Sequence, residues 1–445
     1  MNPIPMSPLA AARAQMELSL GFHIIFSAIG MAMPVMMLLA EWRWIRHGDR
    51  DARALARTWS RLTAVTFAIG AVSGTALSFE LGLLWPGFMA FAGPLIGPAF
   101  ALEGYAFFLE AIFLGLYLYG WERLTPRVHW LCGCAVAVSG ALSGIFVLST
   151  NAWMQDPSGF RLGADGMPTE IDAWAALVNP AWRLMATHST LAMYQAVGFA
   201  AAGTYAWAIW RARRPERARY HAVGLIIAML TASGAAFAEP LVGDRLAKRL
   251  YLRQPVKLAA MEGHFDTSRR APLHLGGLPD PEARLTRYAV TVPGLLSLLA
   301  TGDLDAEVLG LDRFPRDEWP NVALTHIAFQ IMVAAGTMMI FTALWYWIAI
   351  WTRRGRDRPL PRGLLLALIA SGPLGLVAVE AGWVLTEAGR QPWVIYKVMR
   401  TADAVTPVAS VSGSLALFAV LYATLGAMLV FFLWHLAGDR QGPAH

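Results

Sequence analysis

Lysine is almost missing from this chain: Lys248, Lys257 and Lys397 are the only three in 445 residues. Charged residues of every kind reach 15%, against about 25% in a soluble domain. With 56% of residues hydrophobic, that shortage excludes an ordinary soluble protein. The formal charge of +6 does not point to nucleic acid, because most of the Arg lies in short connections between apolar runs, where it acts as an orientation signal. Cysteine is scarce too. Cys132 and Cys134 share one apolar run and form neither a CxxCH haem attachment nor a zinc pattern, so they read as small packing residues.

What is abundant is apolar sequence in runs long enough to cross a hydrocarbon core roughly 30 Å thick. Nine candidate spans lie near 14–40, 62–85, 99–121, 131–153, 185–210, 221–242, 322–351, 363–386 and 411–437. Backbone groups in lipid must pair internally, so the expected fold is an all-α integral membrane protein. The first run flows from Arg13 into a full span, which predicts no cleavable signal peptide.

Alternate connections are rich in Arg. The first carries Arg43, Arg46, Arg50, Arg53, Arg57 and Arg61, the third Arg123 and Arg127, the fifth Arg211 to Arg219, and the seventh Arg353 to Arg362. Residues 86–98 carry no charge. Basic connections belong on the cytoplasmic side, so the N-terminus is expected outside and the C-terminus inside. The organisation expected is 1–242 with spans one to six, a long outside segment at 243–320, and 321–445 with spans seven to nine. The outside segment holds eleven basic and eleven acidic residues, and a connection of this length is functional or disordered.

Ionisable groups within a bilayer cost about 2.5–3.5 kcal/mol each on insertion scales, so those present need a reason. His23 lies midway along the first span and His188 near the outer start of the fifth. Each reads either as a hydrogen-bonded core histidine or as an axial haem ligand. Glu103 and Glu110 share the third span. Seven residues are nearly two turns, which places both on one face about 10 Å apart and suits a proton relay, a haem site or a pair of hydrogen-bonded acids. Glu17, Glu80, Glu239 and Glu380 are further candidates near span ends. No span carries the two well-separated His of a di-haem cytochrome b, and most of the ten His lie in loops or at span ends, unlike a haem–copper oxidase. Nothing in spacing alone singles out Met332 among 19 Met.

Residues 382–393 read GWVLTEAGRQPW. Glu387 and Arg390, three apart and fenced by Trp383 and Trp393, suit an anionic ligand beside a cation that holds a carboxylate, or an interfacial ion pair. This GWxxxExGRQPW segment closely resembles the signature of cytochrome bd oxidase subunit I. The resemblance extends along almost the whole chain: Gln15 to His23, Ala101 to Gly104, Phe107 to Glu110, Asn151 to Gln155, Asn179-Pro180 followed by His188, Gln254 to Glu262, and Phe329 to Met332.

The resemblance implies the following roles. His188 and Met332 are axial ligands of a low-spin haem b. His23 and Glu387 serve a high-spin haem b and a haem d, with haem b in place of haem d in some members. Lys257 and Glu262 contact quinol and accept its protons. Glu103 and Glu110 lie on a proton path, Arg390 pairs with haem propionates, and Trp383 packs against a haem. Three features depart from the family pattern. The two acids are seven apart rather than eight, Gln330 replaces an Arg, and the outside segment is of the short type.

The implied activity is quinol:oxygen oxidoreduction, oxidising two quinols per O₂ at the outer face and separating charge without a pump. The implied partners are a second membrane subunit, quinol, O₂ and the lipid bilayer, with a small single-span accessory subunit left open, in the inner membrane of a bacterial cell. The rivals are a cyanide-insensitive form with b haems only, a haem b electron relay, and a haem-free transporter whose buried acids line a path.

Overall fold

The computed structural model describes residues 7–211, 218–353, 359–408 and 411–438. Among the described residues the chain runs through α1 (Pro8–His47), α2 (Arg50–Leu84), α3 (Pro86–Tyr119), α4 (Pro126–Gln155), α5 (Ala173–Leu177), α6 (Trp182–Arg211), α7 (Ala218–Arg253), α8 (Pro255–Glu262), α9 (Leu295–Thr301), α10 (Val322–Thr352), α11 (Arg362–Ala388), α12 (Thr401–Ala404) and α13 (Val411–Gly438).

Local chemistry sets these ends. Ser7 accepts from the Ala10 N–H at 3.2 Å, Pro8 opens the first turn, and Gly48 closes α1 at φ 64°. Asp49 then caps α2 and accepts from Arg43 Nε at 2.7 Å. The Arg-rich connection expected after the first span is therefore mostly helix, since long Arg stems let a helix run past its apolar stretch. Residues 86–98, expected as a connection, also belong to a helix. Pro86 stands at its first position, where no backbone donor is needed.

Eight of these helices are long and apolar enough to cross a membrane: α1 to α4, α7, α10, α11 and α13. The remaining expected span, the fifth in chain order, corresponds to α6, which is 30 residues long. It falls outside that set, since its sequence carries Arg183, His188, Gln195 and several hydroxyls.

The chain divides into two compact units. One comprises 1–144, 160–173 and 402–445; the other comprises 145–159 and 174–401. In the first, α1 packs on α2, and α13 lies against both, burying Phe26, Ile69, Tyr422 and Leu425 together. In the second, α6 packs on α7 and α11, and α10 lies against α11. Small residues bring these backbones close. A Cβ on Gly375 would fall 2.4 Å from Ala196 Cα, and one on Gly198 would fall 2.7 Å from the Ala232 nitrogen.

The 243–320 segment is folded. Its first part continues α7; then α8 begins at Pro255 and ends at Gly263, φ 60°. Three antiparallel strand pairs follow, joining 268–269 with 307–308, 273–275 with 290–292 and 278–280 with 285–287. A core of Leu258, Met261, Ala271, Leu296 and Val308 fixes α8 within this cap.

Candidate active site

In the first unit the His23 ring lies against α2. Nδ1 is 2.9 Å from Ser73 Oγ, Nε2 is 3.0 Å from Ser27 Oγ, and a Cβ on Gly74 would fall 2.9 Å from Cε1. Glycine at 74 is what lets the ring lie flat. Glu103 and Glu110 both face α4. Ser143 Oγ donates to Glu103 Oε1 at 3.5 Å, while a Cβ on Gly140 would fall 3.0 Å from Glu110 Oε1. Glu110 is 5% exposed, and its Oε1 has no hydrogen-bond partner.

Two further polar clusters belong to this unit. Glu41 Oε1 and His129 Nδ1 are 2.6 Å apart in full burial, with His129 Nε2 donating to the Tyr117 carbonyl at 2.8 Å. Glu80 Oε1 accepts from Gln15 Nε2 at 2.9 Å, and Ser414 Oγ donates to Gln15 Oε1 at 2.7 Å. Gln15, Ser19, His23 and Ser27 recur every four residues, a polar stripe on α1 that helical periodicity could have exposed. Glu41 escaped the sequence analysis because it sits beside the Arg-rich connection, where an acid looks solvated.

In the second unit α6 brings His188 to α7. Its Nδ1 is 2.9 Å from Glu239 Oε1, and Gly243 leaves room beside Cε1. Met332 on α10 meets α11 at Gly382, where a Cβ would fall 3.2 Å from Sδ. At the end of α11, Glu387 Oε1 accepts from Asn151 Nδ2 at 2.6 Å, and Oε2 accepts from Arg390 Nη2 at 2.5 Å. Arg390 is 2% exposed and its Nη1 has no partner. Trp383 is half-buried on α11.

The start of α8 is fastened to this corner. Lys257 Nζ donates to the Thr386 carbonyl at 3.1 Å and to Gln155 Oε1 at 3.3 Å, and Gln254 Nε2 donates to the Gln155 carbonyl at 2.6 Å. The Asn151–Gln155 block thus holds Glu387 with its first residue and Lys257 with its last. Burial, then the charge of Arg390, pushes the Lys257 ammonium down to about 7, with Glu387 opposing. Burial pushes Glu262 up to about 8, and its Oε2 has no partner. The end of α8 is held by side chains: the Met261 carbonyl accepts from His326 Nδ1 at 2.9 Å, and the Glu262 carbonyl from His274 Nδ1 at 3.2 Å. Gln330, which departs from the family pattern, accepts from the Gly276 N–H at 2.9 Å and donates to the His274 carbonyl at 3.0 Å. It ties α10 to the strand cap.

These residues fit haem. Imidazole and thioether are its common axial ligands. Glycines stand beside His188 and Met332, and the buried, unpartnered Nη1 of Arg390 is suited to a propionate. Long apolar helices carrying such donors define a multi-pass membrane haem protein of electron transfer. A family model described as cytochrome bd terminal oxidase subunit I matches residues 11–441, and the chain belongs to that family.

Two Bacillus subtilis proteins are similar to it. A putative cytochrome bd menaquinol oxidase subunit I is 35% identical, with 96% of each chain covered. A cytochrome bd ubiquinol oxidase subunit 1 is 30% identical, covering 99% of this chain and 95% of that one. The bd oxidase from Geobacillus thermodenitrificans has a solved chain with 38% identity and a TM-score of 0.89, covering 98% of this chain and 99% of that one. The chain is accordingly a haem-binding subunit of a terminal quinol oxidase that works with a second subunit, and it is a multi-pass protein of the bacterial inner membrane.

Proposed function

We propose that this chain oxidises quinol at the outer face of the membrane and reduces O₂ to water, with charge separation and no pump. His188 and Met332 hold a low-spin haem b. His23 and Glu387 serve a high-spin haem b and a haem d, or a haem b in its place. Arg390 binds a propionate, and Trp383 packs on a macrocycle. When bound, the haems carry the electrons and supply the oxygen chemistry.

The single observation that carries this proposal is the corner formed by Lys257, Glu387 and Arg390. A general base works best with a pKa near ambient pH. Lys257, held near 7 by burial, is neutral in about half of the molecules at neutral pH and can take a quinol hydroxyl proton. Glu262, raised to about 8, contacts quinol and accepts its proton through the ionised fraction, which grows as pH rises. The caps from His326 and His274 hold its helix in place. Glu103 and Glu110 pass protons from the inside.

Nine spans are proposed, with α6 added as the fifth in chain order, the N-terminus outside and the C-terminus in the cytoplasm. The Arg-rich alternate connections support this orientation. The chain is organised as 1–242, the quinol-binding segment 243–320, and 321–445. The complex pairs this chain with a second membrane subunit, with or without a small single-span accessory subunit. Relatives named for menaquinol and for ubiquinol support quinol as the donor class.

The test is a reduced-minus-oxidised spectrum of the purified complex. The wild type should show low-spin b bands, and a far-red band if haem d is present. His188→Ala and Met332→Leu should each lose the low-spin band. Protein that is free of porphyrin, or variants that keep the band, would overturn the proposal.

A further inference from the structure

Glu239 has no role in the reaction described above, yet α7 carries it to 2.9 Å from His188 Nδ1. One turn later on the same face, Gly243 stands beside His188 Cε1. The α7 surface under the imidazole is thus a carboxylate followed by a gap. The two side chains are largely shielded, at 22% and 17% exposure. Among the described residues no Lys or Arg pairs with Glu239, and His188 Nδ1 is buried with no hydrogen-bond partner. Its approach to Oε1 is therefore an ion-pair contact rather than a formed hydrogen bond.

We propose that Glu239 is a positioning residue for His188, holding the Nδ1 side of the ring so that Nε2 is the ligating nitrogen, and that it lowers the midpoint potential of the low-spin haem. This rests on the assignment of His188 and Met332 as axial ligands. A carboxylate beside the outer N–H fixes the tautomer and makes the ring a stronger donor. A stronger donor, with an anion next to it, stabilises the oxidised, more positive iron. The thioether of Met332 acts in the opposite direction. The pair therefore sets the potential between two opposing ligand effects, and Glu239 is the component that favours a low-potential quinol as donor.

The test is a potentiometric titration of the low-spin α-band in the intact complex. Glu239→Gln keeps the size and removes the charge. It should shift the reduction equilibrium about tenfold toward the reduced form, which is 59 mV for one electron, with the α-band retained. Glu239→Asp keeps the charge and should stay near the wild-type potential. An unchanged potential in the Gln variant with its band intact overturns the proposal. Loss of the band in Gln but not in Asp supports the positioning part. Loss in both shows that only packing is at stake, and overturns it. His188→Ala is the separate control: a band that survives there refutes the axial assignment itself rather than the role of Glu239.

Discussion

Replacing Lys257 with Met isolates its proton chemistry from its packing. Met keeps the length of the buried stem and deletes the ammonium. The two acceptors it leaves are not orphaned: Gln155 Oε1 still receives Gln254 Nε2 at 3.1 Å, and the Thr386 carbonyl still receives Gln155 Nε2 at 3.3 Å. The folding cost should therefore be no more than about 1 kcal/mol. Removing a general base of matched pKa, by contrast, costs roughly 10²–10⁴-fold in rate. The assay is quinol-dependent oxygen uptake by the purified complex, beside the extent of haem reduction by dithionite. In the wild type the neutral fraction of Lys257 rises from about a tenth at pH 6 to about nine-tenths at pH 8, so the rate should climb over that window. The variant should lose both the climb and most of the rate while its haems still reduce chemically. A Lys257→Met enzyme within threefold of wild type, with the same pH profile, would refute the assignment.

Three other outcomes are expected. Arg390→Gln leaves the partly buried Glu387 carboxylate without its cation, so stability should fall toward the lower end of about 3–5 kcal/mol, read as detergent thermostability together with haem content. Gly375→Ala drives a methyl into the backbone of α6 at Ala196 and should cost about 1–3 kcal/mol, whereas Gly115→Ala meets open space and should be neutral or stabilising by up to about 1 kcal/mol; equal melting shifts for the two would contradict the close approach. Gly140→Ala should displace the Glu110 carboxylate, and both it and Glu110→Gln should slow oxygen-driven reoxidation in stopped flow, leaving quinol affinity unchanged.

The sequence by itself determined the solvent and the elements. Long apolar runs can only be membrane helices, because lipid offers no partner to a free backbone group. It also exposed His23, Glu103, Glu110 and Glu387, since an ionisable residue in such a run is conspicuous by its cost. Helix ends were less legible: Arg stems and Pro86 let helices continue through stretches that composition marks as connections.

Tertiary structure alone decided which residues meet. Met332 and Gly382 are unremarkable until α10 and α11 cross. The closure of Lys257, Gln155 and Thr386 joins three segments far apart in the chain, and the pairing of Glu41 with His129 joins two. Periodicity reports the face of one helix, whereas a site depends on which faces are packed together. That packing is fixed by small residues such as Gly198 and Gly375, whose importance lies in the neighbours they admit.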